Sequence, residues 1–150
     1  MRAVIQRVSE ASVKSDAFGE NRIAAGMLIL LGIEEADDFS DVEWLCGKIS
    51  RLRIFADDQE IMNLSIMETQ GEMLVISQFT LHASTKKGNR PSYIKAARPE
   101  KAIPLYEKFI HQLGQETGLT VKSGWFGANM QVALVNDGPV TILIDSRNKE

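Results

Sequence analysis

The run "MLILLGI", residues 27–33, contains no charged or polar side chain. It is far shorter than the roughly 20 residues of a membrane span and reads as a strand covered on both faces. A sheet forms around it. On its N-terminal side residues 2–8 alternate, with Ala3, Ile5 and Arg7 on one face and Val4, Gln6 and Val8 on the other. Residues 11–15 continue that strand, 16–21 read as a turn and 22–25 as a further extended segment.

On the C-terminal side Ser40 and Glu43 have capping-box spacing. Val42, Leu45, Cys46, Ile49 and Leu52 then recur at helical spacing, which predicts an amphipathic helix over 41–52 with Cys46 on its apolar face. Residues 53–56 look extended and 57–59 form a turn, while 62–67 fits helix or strand equally. "EMLVISQFTL", 72–81, reads as a strong strand with a polar end, followed by a long loop over 82–91. Pro99 suits a first helical turn, and Leu105, Tyr106, Phe109, Ile110 and Leu113 predict a second helix closing at Gly114 or Gly118. Pro104 either opens that helix afresh or kinks it. Residues 120–126, 130–136 and 140–145 are again extended. Around eight extended segments and two separate helices give an α+β class: a mainly antiparallel, curled or barrel-like sheet with two main flanking helices. No glycine-rich phosphate loop follows a strand, so no nucleotide cofactor is expected, nor any other cofactor.

A chain of 150 residues with 44% hydrophobic content can build one core, so a single domain over 1–150 is expected. The net charge of −3 excludes indiscriminate nucleic-acid binding through a basic body. The lone Cys46 excludes an intramolecular disulfide and a cysteine-rich zinc site, and reads as a small core residue of a cytoplasmic protein. "MRAVIQRV" alternates too strictly for a signal peptide, and no membrane partner is expected.

Two imidazoles, His82 and His111, leave little room for familiar chemistry. His82 follows "SQFT" too closely to serve Ser77 or Thr80 as a base, and two unpaired histidines make no zinc site, so no metal is expected. The acidic pairs Glu34-Glu35, Asp37-Asp38 and Asp57-Asp58 read as solvated turn residues. Between 85 and 101, "TKKGNRPSYIKAARPEK", stand Lys86, Lys87, Arg90, Lys95, Arg98 and Lys101 against the single acid Glu100. Such a cluster suits a local grip on phosphates, or a merely solvated loop. Two features remain: the strand end Ser77-Gln78-Phe79-Thr80, and "LVNDGPVTILID", 134–145, where Gly138-Pro139 interrupts two apolar runs although Asn136-Asp137-Gly138 could have closed a hairpin.

"SQFTL" and "NDGPVT", with "IQRV", "LLGI", "RIF", "MNLS", "RPS" and "FGANMQV" in order, make the sequence closely resemble the D-aminoacyl-tRNA deacylases. Arg98 and Trp125 stand where many members carry a small polar and a polar residue. The resemblance implies an enzyme that hydrolyses the ester between a D-amino acid, or mischarged glycine, and the 3′ end of tRNA. It implies a homodimer whose Gly138 and cis-Pro139 reach into the partner's pocket, formed by Ser77, Gln78, Phe79 and Thr80, with Phe126 and Met130 in its wall. Main chain presented to the substrate Cα leaves room for hydrogen but not for a side chain, so L-amino acids are rejected and D-amino acids pass. Backbone N–H groups of Phe79 and Thr80 are expected to hold the ester oxygen, and Lys86, Lys87 and Arg90 to contact tRNA. The alternatives are a tRNA-binding module without hydrolysis and an editing hydrolase for an L-amino acid.

Overall fold

A computed structural model describes residues 1–149. In chain order the elements are β1 (Arg2–Ser15), β2 (Gly19–Ile23), β3 (Gly26–Gly32), α1 (Phe39–Ser50), β4 (Phe55–Ala56), β5 (Met62–Leu64), α2 (Ile66–Thr69), β6 (Glu72–Ser77), a 3₁₀ turn (Phe79–His82), α3 (Pro99–Thr117), β7 (Val121–Ser123) and β8 (Gln131–Asp145).

The apolar run sits mid-sheet as β3, with β1 antiparallel on one side, Ile5 opposite Ile29, and β6 parallel on the other, Ile29 opposite Val75. The order is β2-β1-β3-β6-β7, with β8 along the other edge of β1. The sheet is therefore mixed, because α1 with the β4–β5 hairpin, and later α3, are crossovers long enough to return the chain in parallel. Alternation along β3 explains its composition. Ile29 and Leu31 pack with Leu45, Ile49, Phe109 and Leu113 of α1 and α3, while Leu28 joins Val8, Val13, Ile23, Leu74 and Ile76 on the other face. β1 changes partner midway, from β3 over 2–8 to β2 over 11–15. The sheet curls with it until the side chain of Asn21 on β2 donates to Ser123 O on β7 at 2.7 Å, nearly closing a barrel.

Several boundaries move for physical reasons. α1 starts at Phe39, capped not by Ser40 and Glu43 but by Asp38, whose carboxylate accepts from the Ser40 N–H at 2.8 Å while Asp41 accepts from the Asp38 N–H at 2.9 Å. The ambiguous 62–67 stretch divides at Ser65, which caps the single turn α2. Pro104 lies within one continuous α3, on its exposed side, where a carbonyl deprived of its donor can meet water. Asp37 is no solvated turn residue: it is wholly buried and accepts from the Glu34 N–H at 2.8 Å and Arg147 Nε at 3.1 Å. Nor are the acids untuned, since hydrogen bonds from Ser40 hold the Asp38 carboxyl below its usual range, and bonds from Ile61 and Gln59 do the same for Asp57. Cys46 is a core residue, its thiol pushed up to about 12 by burial. Among the described residues no helix is long and apolar enough to cross a membrane.

Candidate active site

β3 and β6 end side by side, Leu31 opposite Ser77, and there the strand stops. Only Ser77 of "SQFT" therefore belongs to the strand. The Gln78 N–H donates to Leu31 O at 2.8 Å and the Leu81 N–H to Gln78 O at 3.2 Å, winding Phe79–His82 into the 3₁₀ turn. Gly32 makes this possible, because a Cβ there would lie 2.8 Å from Leu81 Cβ and 3.0 Å from Gln78 O. Arg2 Nη1 pins the turn from its far end by donating to Leu81 O at 2.9 Å. The first N–H groups of such a turn, those of Phe79 and Thr80, have no carbonyl inside it to bond.

Against this turn lies a pocket of about 300 Å³ whose lining includes Ser77, Gln78, Phe79, Ala102, Phe126 and Met130. Ala102 comes from α3, and Phe126 and Met130 from the segment between β7 and β8. Only three residues, 121–123, of the expected strand over 120–126 are extended; the remainder turns to build the wall. Phe126 leans on Tyr106, ring centroids 5.8 Å apart. The Tyr106 hydroxyl donates to Val75 O at 2.9 Å, and burial pushes it up to about 12. Sequence reading took Tyr106 only as helix core. The available signal was the residue type, since a buried tyrosine must find its hydroxyl a partner.

Thr80 does not line the pocket; its Oγ1 accepts from Gln78 Nε2 at 2.5 Å. Phe79 is half exposed and meets Tyr93 edge-on at 5.0 Å. The His82 imidazole is buried, with Glu34 4.0 Å from Nδ1, and makes no hydrogen bond to Ser77 or Thr80 among the described residues. Burial holds it below its usual pKa. Among the described residues no group of three His, Cys, Asp or Glu could hold a metal ion. Lys86, Lys87 and Arg90 sit on an exposed loop whose neck is closed by paired backbone bonds between Ser84 and Ser92, 2.8 and 2.9 Å.

Gly138-Pro139 closes no hairpin. β8 runs unbroken along β1, but residues 137–140 stand opposite Arg7 alone, since Asn136 pairs with Val8 and Thr141 with Gln6. The extra residues leave the sheet as an exposed bulge. Asn136 Oδ1 accepts from the Val140 N–H at 2.8 Å across its neck, and Arg7 holds it from β1, Nε to Asp137 O at 2.8 Å and Nη1 to Ile54 O at 2.7 Å. The Gly138–Pro139 peptide is cis, and Gly138 has φ of +142°, a conformation that favours glycine. Ser77, Gln78, Phe79, Phe126 and Met130 therefore share one pocket, Thr80 adjoins it, and Gly138 and Pro139 lie apart from the pocket of their own chain.

A curled sheet flanked by helices, with a pocket beside a 3₁₀ turn and a bulge on its longest edge strand, defines a small α+β barrel with a surface site. Residues 4–145 match the family model described as D-Tyr-tRNA(Tyr) deacylase. A D-aminoacyl-tRNA deacylase of Bacteroides fragilis is 63% identical over 150 residues, covering 100% of both chains. One of Flavobacterium psychrophilum is 59% identical with the same coverage. Among solved structures, "c-Myc DNA Unwinding Element Binding Protein" superposes with a TM-score of 0.90 at 40% identity, over 97% of this chain and 98% of that one. A probable eukaryotic D-amino acid tRNA deacylase, with a TM-score of 0.82 at 16% identity over 95% and 97%, shares the fold. The chain belongs to the D-Tyr-tRNA(Tyr) deacylase family.

Proposed function

We propose that the chain hydrolyses the ester joining a D-amino acid, or mischarged glycine, to the 3′ end of tRNA, releasing free tRNA and the amino acid. The observation that carries this reading is a pocket with no titratable side chain among its described lining residues, built beside a turn whose first two N–H groups have no partner within it. Ester hydrolysis suits such a site. Water attacks the carbonyl carbon, the bond to the ribose oxygen breaks, and that oxygen leaves with a proton. The N–H groups of Phe79 and Thr80 hold the carbonyl oxygen as its charge develops; in another hydrolase the loss of one such donor costs about 2.7–4 kcal/mol. The terminal ribose 2′-hydroxyl assists the water. Gln78 and Ser77 shape the pocket floor, and Phe126 and Met130 its wall.

Chirality is judged by main chain. In this reading Gly138 and Pro139 of one subunit enter the partner's pocket and face the substrate Cα, where hydrogen fits and a side chain does not. A homodimer is supported by β8, a long edge strand paired only with β1 among the described residues and carrying exposed Val135 and Leu143. The Lys86, Lys87 and Arg90 loop grips tRNA phosphates in the cytoplasm. Deacylation of matched D- and L-tyrosyl-tRNA is the test. Release of D-tyrosine alone is expected; equal or L-preferring release, or binding without release, would defeat the reading.

A further inference from the structure

Phe18, at the turn between β1 and β2, is 62% exposed, and its ring stacks on Trp125 with centroids 5.8 Å and planes 16° apart. A phenylalanine so open to water gains little by burial, and the proposed chemistry leaves the pair unused. Trp125 is not remote from that chemistry. It immediately precedes Phe126, and its backbone N–H donates to Met130 Sδ at 3.4 Å, so the main chain that carries the indole is tied to the segment that walls the pocket.

We propose that Phe18 and Trp125 form a stacking platform for a base of the single-stranded 3′ end of tRNA, adjacent to the nucleotide whose ester enters the pocket. This rests on the deacylase reading. An ester carbonyl in the pocket places the terminal nucleoside at its rim, and the preceding nucleotides must leave across the neighbouring surface. An aromatic face there accepts any base, because every base has a π-face. Around the turn Asp16 and Glu20 offset Lys14 and Arg22, which pairs with Glu20 at 3.2 Å, so it supplies little net attraction for phosphate. The contact is therefore stacking, and its share of affinity is insensitive to salt, unlike that of the basic loop.

The chain has two tryptophans, so Trp44→Phe leaves Trp125 as the only indole, and Trp44 lies outside the pocket. In that background the trinucleotide cytidylyl-cytidylyl-adenosine quenches the fluorescence, and Phe18→Ser weakens the titration. For D-tyrosyl-tRNA, Phe18→Ser raises KM about tenfold with kcat kept, the size expected of a lost stacking contact. For D-tyrosyl-adenosine, which has no preceding base, it changes neither constant. Absence of quenching, an equal effect on both substrates, or a change of oligomeric state with Phe18→Ser overturns the platform. If the wild-type chain hydrolyses neither substrate, the deacylase reading fails alone, and the trinucleotide titration still decides the platform.

Discussion

Thr80 carries a hydroxyl beside the proposed oxyanion donors, yet that hydroxyl already accepts from Gln78 and no imidazole or carboxylate bonds to it among the described residues. An unactivated hydroxyl is a weak nucleophile. Thr80→Ala is expected to keep kcat within about tenfold, whereas loss of an acid–base group costs about 10²–10⁴-fold; single-turnover deacylation separates the two. Tyr106→Phe removes a bond to Val75 O, but the Gly124 N–H still donates to that oxygen at 3.1 Å. The cost is then that of one neutral bond, about 1 kcal/mol, or a Tm about 2–4 °C lower by calorimetry. His82 adds a pH term. Burial keeps its folded pKa below 6.5 despite nearby Glu34, and Arg2 and the Met1 nitrogen act in the same direction as burial. The unfolded chain takes up a proton first, so stability is complete above about 6.5 and declines as pH falls toward the folded value. Denaturant titrations of His82→Gln should show a shallower decline just below pH 6.5 than the wild-type chain does.

At the scale of elements, α1 separates what a sequence window reveals from what it hides. Its apolar spacing was legible, but two overlapping capping patterns, Asp38 with Asp41 and Ser40 with Glu43, precede it, and only the backbone geometry chooses Asp38. Asp38→Ala should therefore lower Tm by about 2–4 °C, with Glu43→Ala nearly silent, and thermal unfolding of both checks this. The wholly apolar β3 was legible because both its faces are buried. Its parallel pairing with β6 was less so, since one apolar run looks the same beside a parallel or an antiparallel neighbour. The turn at 79–82 was hidden for a related reason: what ends the strand is close packing on Gly32, far away in sequence. Asp37 was misread because its Arg147 partner is 110 residues away. Ser77, Gln78, Phe79, Phe126 and Met130, which share the pocket, were singled out through family resemblance, whereas Tyr106 beneath them was signalled only by its residue type and Arg7 behind the bulge follows from tertiary contacts alone.

For the whole molecule the decisive matter is that Gly138 and Pro139 lie apart from the pocket of their own chain, on a strand whose outer edge pairs with no other among the described residues. If a site needs the pocket of one subunit and the bulge of another, two differently damaged chains can repair each other. Gly138→Ala damages the bulge, because at φ +142° an added Cβ would lie 2.8 Å from Val140 Cγ2 and 3.0 Å from Val140 N. Ala128→Trp damages the pocket by filling it from its lining. Each variant alone is expected to be inactive toward D-tyrosyl-tRNA while remaining folded by circular dichroism. Unfolded together, mixed in equal amounts and refolded, they form heterodimers in which one site joins an intact pocket to an intact bulge and the other joins two damaged parts. Half the dimers are then mixed and half their sites are whole, so activity returns to about one quarter of wild type. A site contained within one chain has no route to recovery on mixing, and a mixture as inactive as its components would refute the shared-site geometry whatever the oligomeric state.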